Sequence, residues 1–459
     1  TRNTAAGSRS GMQTTTGDFN TFLGYDAGES NTTADSNTAV GDSALRETTT
    51  GASNTAVGQS ALLSNTTGAQ NTALGTLSLD ANTTGGENTA VGYASLSAAT
   101  TAAGNTAMGW GAMINTTTGF ANVAVGLSSL GIQTTGHSNV AIGHATLDAL
   151  TTGNSNTAVG QAALSDNTIG VSNVAIGKSA LTNNTTASNN TAVGQGALFT
   201  NTTGTEQTAL GLNTLYSATT SSFNTALGSQ SLTSVTTGRD NTAVGRAAGL
   251  LVTTGVENTF IGGNSGNGNV VTSGSKNINI GYNVENGSAT DEFVIVIGHN
   301  IAGSGNNFSF GKASNVVTND FDADADWSRS SDLRLKKNIA DQTLGLDFIN
   351  ALRTVKYNWK ASGELDASDA QLAHLREEDA DGNIINHMNT DVVMHNFIAQ
   401  EVKAALDTAG VSDFGGWKED RYGVQQVSRA MFVIPLVKAV QEQSALITSL
   451  TDRIAALEA

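Results

Sequence analysis

The chain contains no cysteine, which excludes disulfides and thiolate metal sites and leaves the redox compartment open. One proline, Pro435, stands among 459 residues, and aromatic residues make up only 5% and charged residues 13%. Such scarcity excludes thick cores of large side chains, so the length does not resolve into ordinary domains of about 150 residues. A chain so poor in bulky apolar residues either stays disordered or repeats a thin buried layer many times. No apolar run reads as long enough to span a bilayer, and no membrane insertion is expected. No signal peptide opens at Thr1; the expectation is export without one, as in a particle released by lysis, or a leader already removed. The net charge is −17 and no basic patch is present, so nothing would neutralise phosphate and nucleic acid is excluded as a partner.

What the chain does have is glycine, 52 in all, together with threonine, asparagine and alanine in a strict repeat. The pentad Asn-Thr-Ala-Val-Gly or a near variant begins at Asn3 and recurs every 17 residues to Asn258, with Gln207 the one substitute for asparagine. A register kept over 16 units without an insertion means that each unit stacks on the last as one coil of a solenoid. Within the pentad the second and fourth residues alternate with a nearly constant alanine, a period of two that predicts a strand apolar on both faces. One face lines the coil; the other needs a partner, most simply another chain.

Eight residues after the asparagine stands an apolar residue, Leu45 through Leu232 with Met113 among them, a second inward ladder. Fourteen after it stands a frequent glycine, as at Gly51, Gly68 and Gly85, read as a turn with positive φ. The first two and last two units carry Gly11, Gly28, Gly249 and Gly266 in place of the leucine, as capping units should. At about 4.8 Å per coil the rod is roughly 75 Å long, a spacer or display surface. Rows of Thr and Asn on its outer face would solubilise it and offer contacts to glycans.

The repeats resemble the heads of trimeric autotransporter adhesins, on "SNVAIG" at Ser138–Gly143 and over residues 1–265. That resemblance implies a left-handed parallel β-roll packed as a homotrimer. The 17-residue period is longer than is usual there, and no membrane barrel follows. Beyond the rod, residues 266–318 read as an irregular β neck and residues 319–330 as an acidic linker. Charge density rises at that point: residues 1–318 hold 8 Lys/Arg and 16 Asp/Glu, residues 319–459 hold 14 and 23. Asp320, Asp322, Asp324 and Asp326 alternate like calcium ligands, but Ala325 and Ser331 stand where an EF-hand needs Gly and Glu, so no metal site is assigned. Histidines such as His137, His144 and His299 show no metal spacing, and the Asn-Thr-Thr sequons come with the repeat.

Residues 331–432 have the texture of a small α+β domain. Leu346, Phe348, Ile349 and Leu352 predict a helix, Val355, Tyr357 and Trp359 a strand, "DADGNI" from Asp379 a hairpin turn, and "HNFIAQEVKAAL" from His395 a strand running into a helix. Residues 433–459 carry heptads: Val433, Leu436, Val440, Gln443, Ile447, Leu450, Ile454 and Leu457 form an a/d seam with Gln443 as its polar interruption. A coiled coil there would bring chains together.

Ser331-Asp332-Leu333-Arg334-Leu335-Lys336, "FIAQEV" at Phe397–Val402 and "LVKAVQEQ" at Leu436–Gln443 together resemble the intramolecular chaperone auto-processing domain of phage tail spikes and fibres, the endosialidase type. Asn396 departs from the glycine usual before "FIAQEV". The resemblance implies a domain that trimerises, promotes folding of the shaft before it, and severs itself with a Ser/Lys dyad. By position Ser331 is the nucleophile, Lys336 the base, and the bond between Ser330 and Ser331 is cut. A serine hydroxyl needs such a base, and a lysine serves when desolvation or nearby positive charge, here Arg334 and Lys337, lowers its pKa.

The fold expected is therefore mainly β, a trimeric parallel β-roll followed by a chaperone domain and a coiled coil. The function expected is that of a trimeric fibre or spike of a virion, attached to tail or other particle components at its N-terminus and to a host receptor, a glycan being one candidate. A bacterial surface adhesin on the cell exterior using the same chaperone is the alternative. A polysaccharide-acting enzyme is disfavoured because acidic residues fall at scattered registers. At most single-turnover autoproteolysis is expected, with no cofactor.

Overall fold

The computed structural model describes residues 2–267, 272–320, 328–329, 333, 336–376, 378, 382–384, 390 and 393–458. It divides into two compact units, Thr1–Ser330 and Ser331–Ala459. The first is a parallel β-solenoid of 17-residue coils, mainly β as the repeat predicts.

From Thr4–Ala6 to Thr259–Ile261 each pentad gives a three-residue strand. Strands pair in parallel with every residue opposite the one 17 positions on, as in Thr38↔Thr55, Ala39↔Ala56 and Val40↔Val57. The alanine row points inward and is fully buried from Ala39 to Ala243, whereas the Thr/Val and Val/Leu/Ile/Met rows on either side face outward. The second ladder is also interior: Leu45, Leu62 and their equivalents to Leu232 are fully buried. They sit in the left-handed region, with φ of 51° at Leu45 and 52° at Leu62. That conformation costs about 1–2 kcal/mol per residue. Burying a leucine side chain returns about 1.5–3 kcal/mol, so the ladder is retained despite its backbone.

Two kinds of glycine hold the coils close. The pentad glycine has a φ that only glycine tolerates, +134° at Gly126, and a Cβ there would lie 2.4 Å from the Gly143 carbonyl oxygen of the next coil. The glycine 14 after the asparagine corrects the expectation of a positive-φ turn. Gly51, Gly68 and Gly85 are not at positive φ, and glycine stands there for space, a Cβ on Gly51 falling 2.2 Å from the Gly68 oxygen. The left-handed corners fall elsewhere in the coil, for example at Ser36, Ser43 and Leu45.

The pentad asparagine is buried and forms a ladder along the solenoid. Asn139 Nδ2 donates to the Gly153 oxygen at 2.9 Å, and its Oδ1 accepts the Asn156 backbone N–H at 3.0 Å. A second buried row comes from the Asn-Thr-Thr triplets, where Asn82 Nδ2 donates to Asn65 Oδ1 at 2.8 Å. The asparagine rows therefore do not face outward as expected, because each amide satisfies backbone groups that would otherwise be buried unpaired. Only the threonine rows reach the surface, the inner one pinned by bonds such as Thr66 Oγ1 to the Thr83 oxygen at 3.0 Å.

The capping glycines have a packing role as well. Phe22 and Phe260 replace the inward alanine and are buried. A Cβ on Gly28 would lie 2.5 Å from the Phe22 ring, and one on Gly266 2.3 Å from the Phe260 ring. An Ala-plus-Leu interior is exchanged for Phe-plus-Gly near each end, which conserves volume.

After Ile261 the spacing varies but the ladder continues through Ile278–Tyr282, Ile295–His299 and Asn307–Lys312. Asn315–Asp320 then turns back antiparallel on Asn307–Lys312 and ends the parallel run.

The second unit contains helices α1 (Leu346–Ala351), α2 (Ala399–Thr408) and α3 (Val433–Glu458), with small antiparallel pairs Val355–Tyr357/Met394–Asn396 and Trp417–Glu419/Gln425–Val427. The helix and strands read from Leu346 and His395 are thus present; Asp379 lies outside the described residues, and Glu378 bridges Ile384 around the expected turn. Arg429–Glu458 corrects one expectation: it is long and apolar enough to cross a membrane by length and composition. Its heptad residues Val433, Leu436, Val440, Gln443, Ile447, Leu450, Ile454 and Leu457 are all exposed in the chain.

Candidate functional site

The solenoid ends in an edge. Ser328–Arg329 pairs antiparallel with Asn315–Asp320, Thr318 opposite Ser328 and Val317 opposite Arg329, and the first compact unit closes at Ser330. The second opens at Ser331, so the boundary between the units is the Ser330–Ser331 bond. Ser330 and Ser331 themselves lie outside the described residues, as do Asp322, Asp324 and Asp326. Lys336 is described: it is exposed, and its backbone N–H donates to the Leu333 oxygen at 3.1 Å in a turn. Among the described residues no group of three His, Asp or Glu side chains could hold a metal ion.

The other two motifs meet at one core. Leu344, Phe348, Val402, Leu406 and Phe432 are buried, with Phe397, Phe414 and Trp417 packed around them. Phe432 is the hub: its ring centroid lies 4.8 Å from Phe397, 5.2 Å from Phe414 and 6.2 Å from Phe348. "FIAQEV" thus supplies Phe397 and Val402 to the core and starts α2 at Ala399. The departure at Asn396 leaves the strand regular: Asn396 pairs with Val355, and its Oδ1 accepts the Phe397 N–H at 2.9 Å. Glu401 faces outward and bonds the Arg353 guanidinium, which holds its carboxyl below the usual carboxylate range.

"LVKAVQEQ" lies on α3 and divides it into two faces. Pro435 and Ala439 are buried on one side. Glu442, from the same turns, reaches α1, its Oε2 accepting the Leu346 N–H at 2.8 Å. The carboxylate satisfies an amide at the start of α1 and sits where negative charge is favoured. A side chain at Gly345 would occupy the space of that carboxylate. Neither Glu442 nor Gly345 was singled out from sequence: the contact spans 96 residues and carries no local signal. The adjoining face of α3 is the exposed heptad seam.

No curated protein and no solved structure matches the chain. Residues 331–411 match the family model described as chaperone of endosialidase, peptidase S74. A parallel β-solenoid followed by this domain is the make-up of a tail-fibre or spike-type protein, and the second compact unit of the chain carries a chaperone-of-endosialidase domain.

Proposed function

We propose that this is the shaft and host-attachment protein of a virion fibre or spike, a homotrimer whose C-terminal domain assembles the chains and then releases itself. The observation that carries the reading is a coincidence of boundaries: the family match begins at residue 331, where one compact unit ends and the next begins. A folding aid joined at one bond to the end of its client is placed to be removed. The exposed apolar seam on α3 and the outward apolar rows of the solenoid both support association of copies. The N-terminal end of the rod joins the particle, and the rod presents a surface to a receptor, a glycan being the candidate class.

In the severing step Ser331 Oγ attacks the Ser330 carbonyl carbon while Lys336 Nζ takes the hydroxyl proton. The C–O ester bond forms, the C–N bond breaks, and the proton passes to the freed Ser331 amine. Water then hydrolyses the ester, leaving a carboxylate on Ser330 and restoring the hydroxyl. Each chain reacts once. Lys336 is exposed in the single chain, whereas a base of this kind works best desolvated, so contact with another chain is the arrangement that would activate it.

Full-length wild type and Ser331→Ala, compared by denaturing gel and intact mass, test the reading. Wild type should yield fragments ending at Ser330 and starting at Ser331, and the variant a single chain. Trimers of uncut wild type would remove self-cleavage and keep assembly; soluble trimer after deletion of residues 332–459 would remove the chaperone role.

A further inference from the structure

Exposed large apolar side chains on the solenoid are not spread around it. Among the described residues, all but Met12, Ile132, Ile169 and Leu251 lie on the outward strand face or on its two rims. The face carries the Val/Leu/Ile/Met row. One rim is formed by residues just after each pentad glycine, the other by residues just before each asparagine. A face about 20 Å wide and 85 Å long offers roughly 1,700 Å², against the ~800 Å² per partner of an ordinary stable interface.

The rims differ from each other, and at three levels their side chains are complementary. Trp110, 54% exposed, lies two residues beyond the strand Thr106–Met108 and Gly104 two residues before it, so the largest side chain on one rim is level with a glycine on the other. Tyr282, stacked on His299, is level with Lys276, whose ammonium lies 5.0 Å from the Phe293 ring centroid, an aromatic rim residue level with a cation. Arg246 is level with Asp240 and one coil below Glu257; all three are exposed, Asp240 is paired with Arg239 of its own chain at 3.2 Å, and neither Arg246 nor Glu257 has an ion pair within the described part of the chain. A surface whose two edges complement each other suits a cyclic ring of parallel copies, in which one edge of each copy meets the other edge of the next.

We propose that the strand face is the seat of a second copy of this chain, parallel and in register, with Arg246 of one copy held between Asp240 and Glu257 of its neighbour. The proposal rests on the homotrimer reading and adds the surface and the register. A slip of one coil replaces one of the two carboxylates around Arg246, by Lys276 in one direction and by Phe223 in the other. The charged rim therefore supplies a register that the identical apolar rows lack.

The absence of cysteine makes the test clean. Full-length chain carrying Arg246→Cys with Asp240→Cys is oxidised, beside Arg246→Cys with Phe223→Cys, after circular dichroism has shown both folded. The first pair lies at opposite ends of one strand, roughly 15–20 Å apart within a chain and beyond disulfide reach, so a bond forms only between copies. The in-register pair should give covalent trimers at least about ten times more abundantly than the slipped pair, since disulfides need Cα atoms within about 7 Å. Trimers by sedimentation with no preference between the pairs would overturn the proposal and leave the homotrimer reading standing. Monomers by sedimentation would overturn both. As a second arm, Arg246→Glu should lower the trimer's melting temperature and Asp240→Arg with Glu257→Arg should restore it in that background; an unchanged melting temperature for the single variant would also count against the ion pair.

Discussion

In the solenoid a buried side chain meets its own kind: Leu62 follows Leu45, Asn156 follows Asn139, and the inward alanines form one continuous row. In the C-terminal unit Phe432 meets Phe348, Phe397 and Phe414, residues found once each and drawn from distant parts of the sequence. The first region spreads its stability over many small, equivalent contacts, and its coils have near-identical neighbours into which they could mispair. The second concentrates stability in a few unique contacts that admit one arrangement. The apolar rows of the rod carry no register of their own, whereas the core of the C-terminal unit is built from contacts that occur once.

The contrast is broken most directly at the hub. Phe432→Ala should destabilise the C-terminal unit by about 3–5 kcal/mol, since the ring is buried and has no equivalent to take its place. Differential scanning calorimetry should show that transition fall while the solenoid's stays within a degree or two. Movement of both together would show that the two regions unfold as one. The matching perturbation in the solenoid is Gly126→Ala. It forces an alanine into a glycine-only φ and against the Gly143 oxygen, and should cost about 2–3 kcal/mol, read as a lower solenoid midpoint in denaturant. A cost under half a kcal/mol would mean that the coils can separate locally at little expense.

The same contrast decides what was legible in the sequence. Periodicity reports equivalence, so the 17-residue coil, the strand at the pentad and the buried leucine ladder could be read directly. Helices α1 and α2 were also legible, from local apolar spacing. Direction was harder. Asn and Thr look alike as polar repeats, and only the structure separates the buried amide rows from the exposed threonines. Phe22 with Gly28 could have been noticed, because the larger residue and the missing leucine occur in neighbouring units. The Glu442 to Leu346 contact had no such signal. Of the proposed dyad, the sequence names Ser331 and Lys336, and the described residues place Lys336 alone.

A smaller effect is expected from removing one rung. Asn139→Ala deletes the donor to the Gly153 oxygen and the acceptor for the Asn156 N–H, leaving buried backbone groups unpaired. The cost should be about 2 kcal/mol in chemical denaturation. It should fall on the solenoid transition alone, and hydrogen exchange should rise at Asn156 before it rises at distant coils. Uniformly faster exchange along the rod would show that the ladder acts as one cooperative element.

The smallest effect should have the opposite sign. The second amide row runs from Asn65 to Asn82 and then stops, because Ala99 occupies the next position; Asn82 Oδ1 is left buried without a partner. Ala99→Asn would place an amide where it can donate to Asn82 Oδ1 and to the Ala102 oxygen, as Asn184 donates to Asn167 Oδ1 at 3.1 Å and to the Ala187 oxygen at 3.0 Å. The Asn184 arrangement also shows that an alanine three residues on is compatible with the amide. Satisfying a buried acceptor should add about 1 kcal/mol, a gain that the extra side-chain volume beside buried Thr116 works against. A raised solenoid midpoint would show that hydrogen-bond satisfaction limits stability at this break. A lowered one would show that the interior is filled to its volume there, and that alanine was kept for packing even though it strands an amide oxygen.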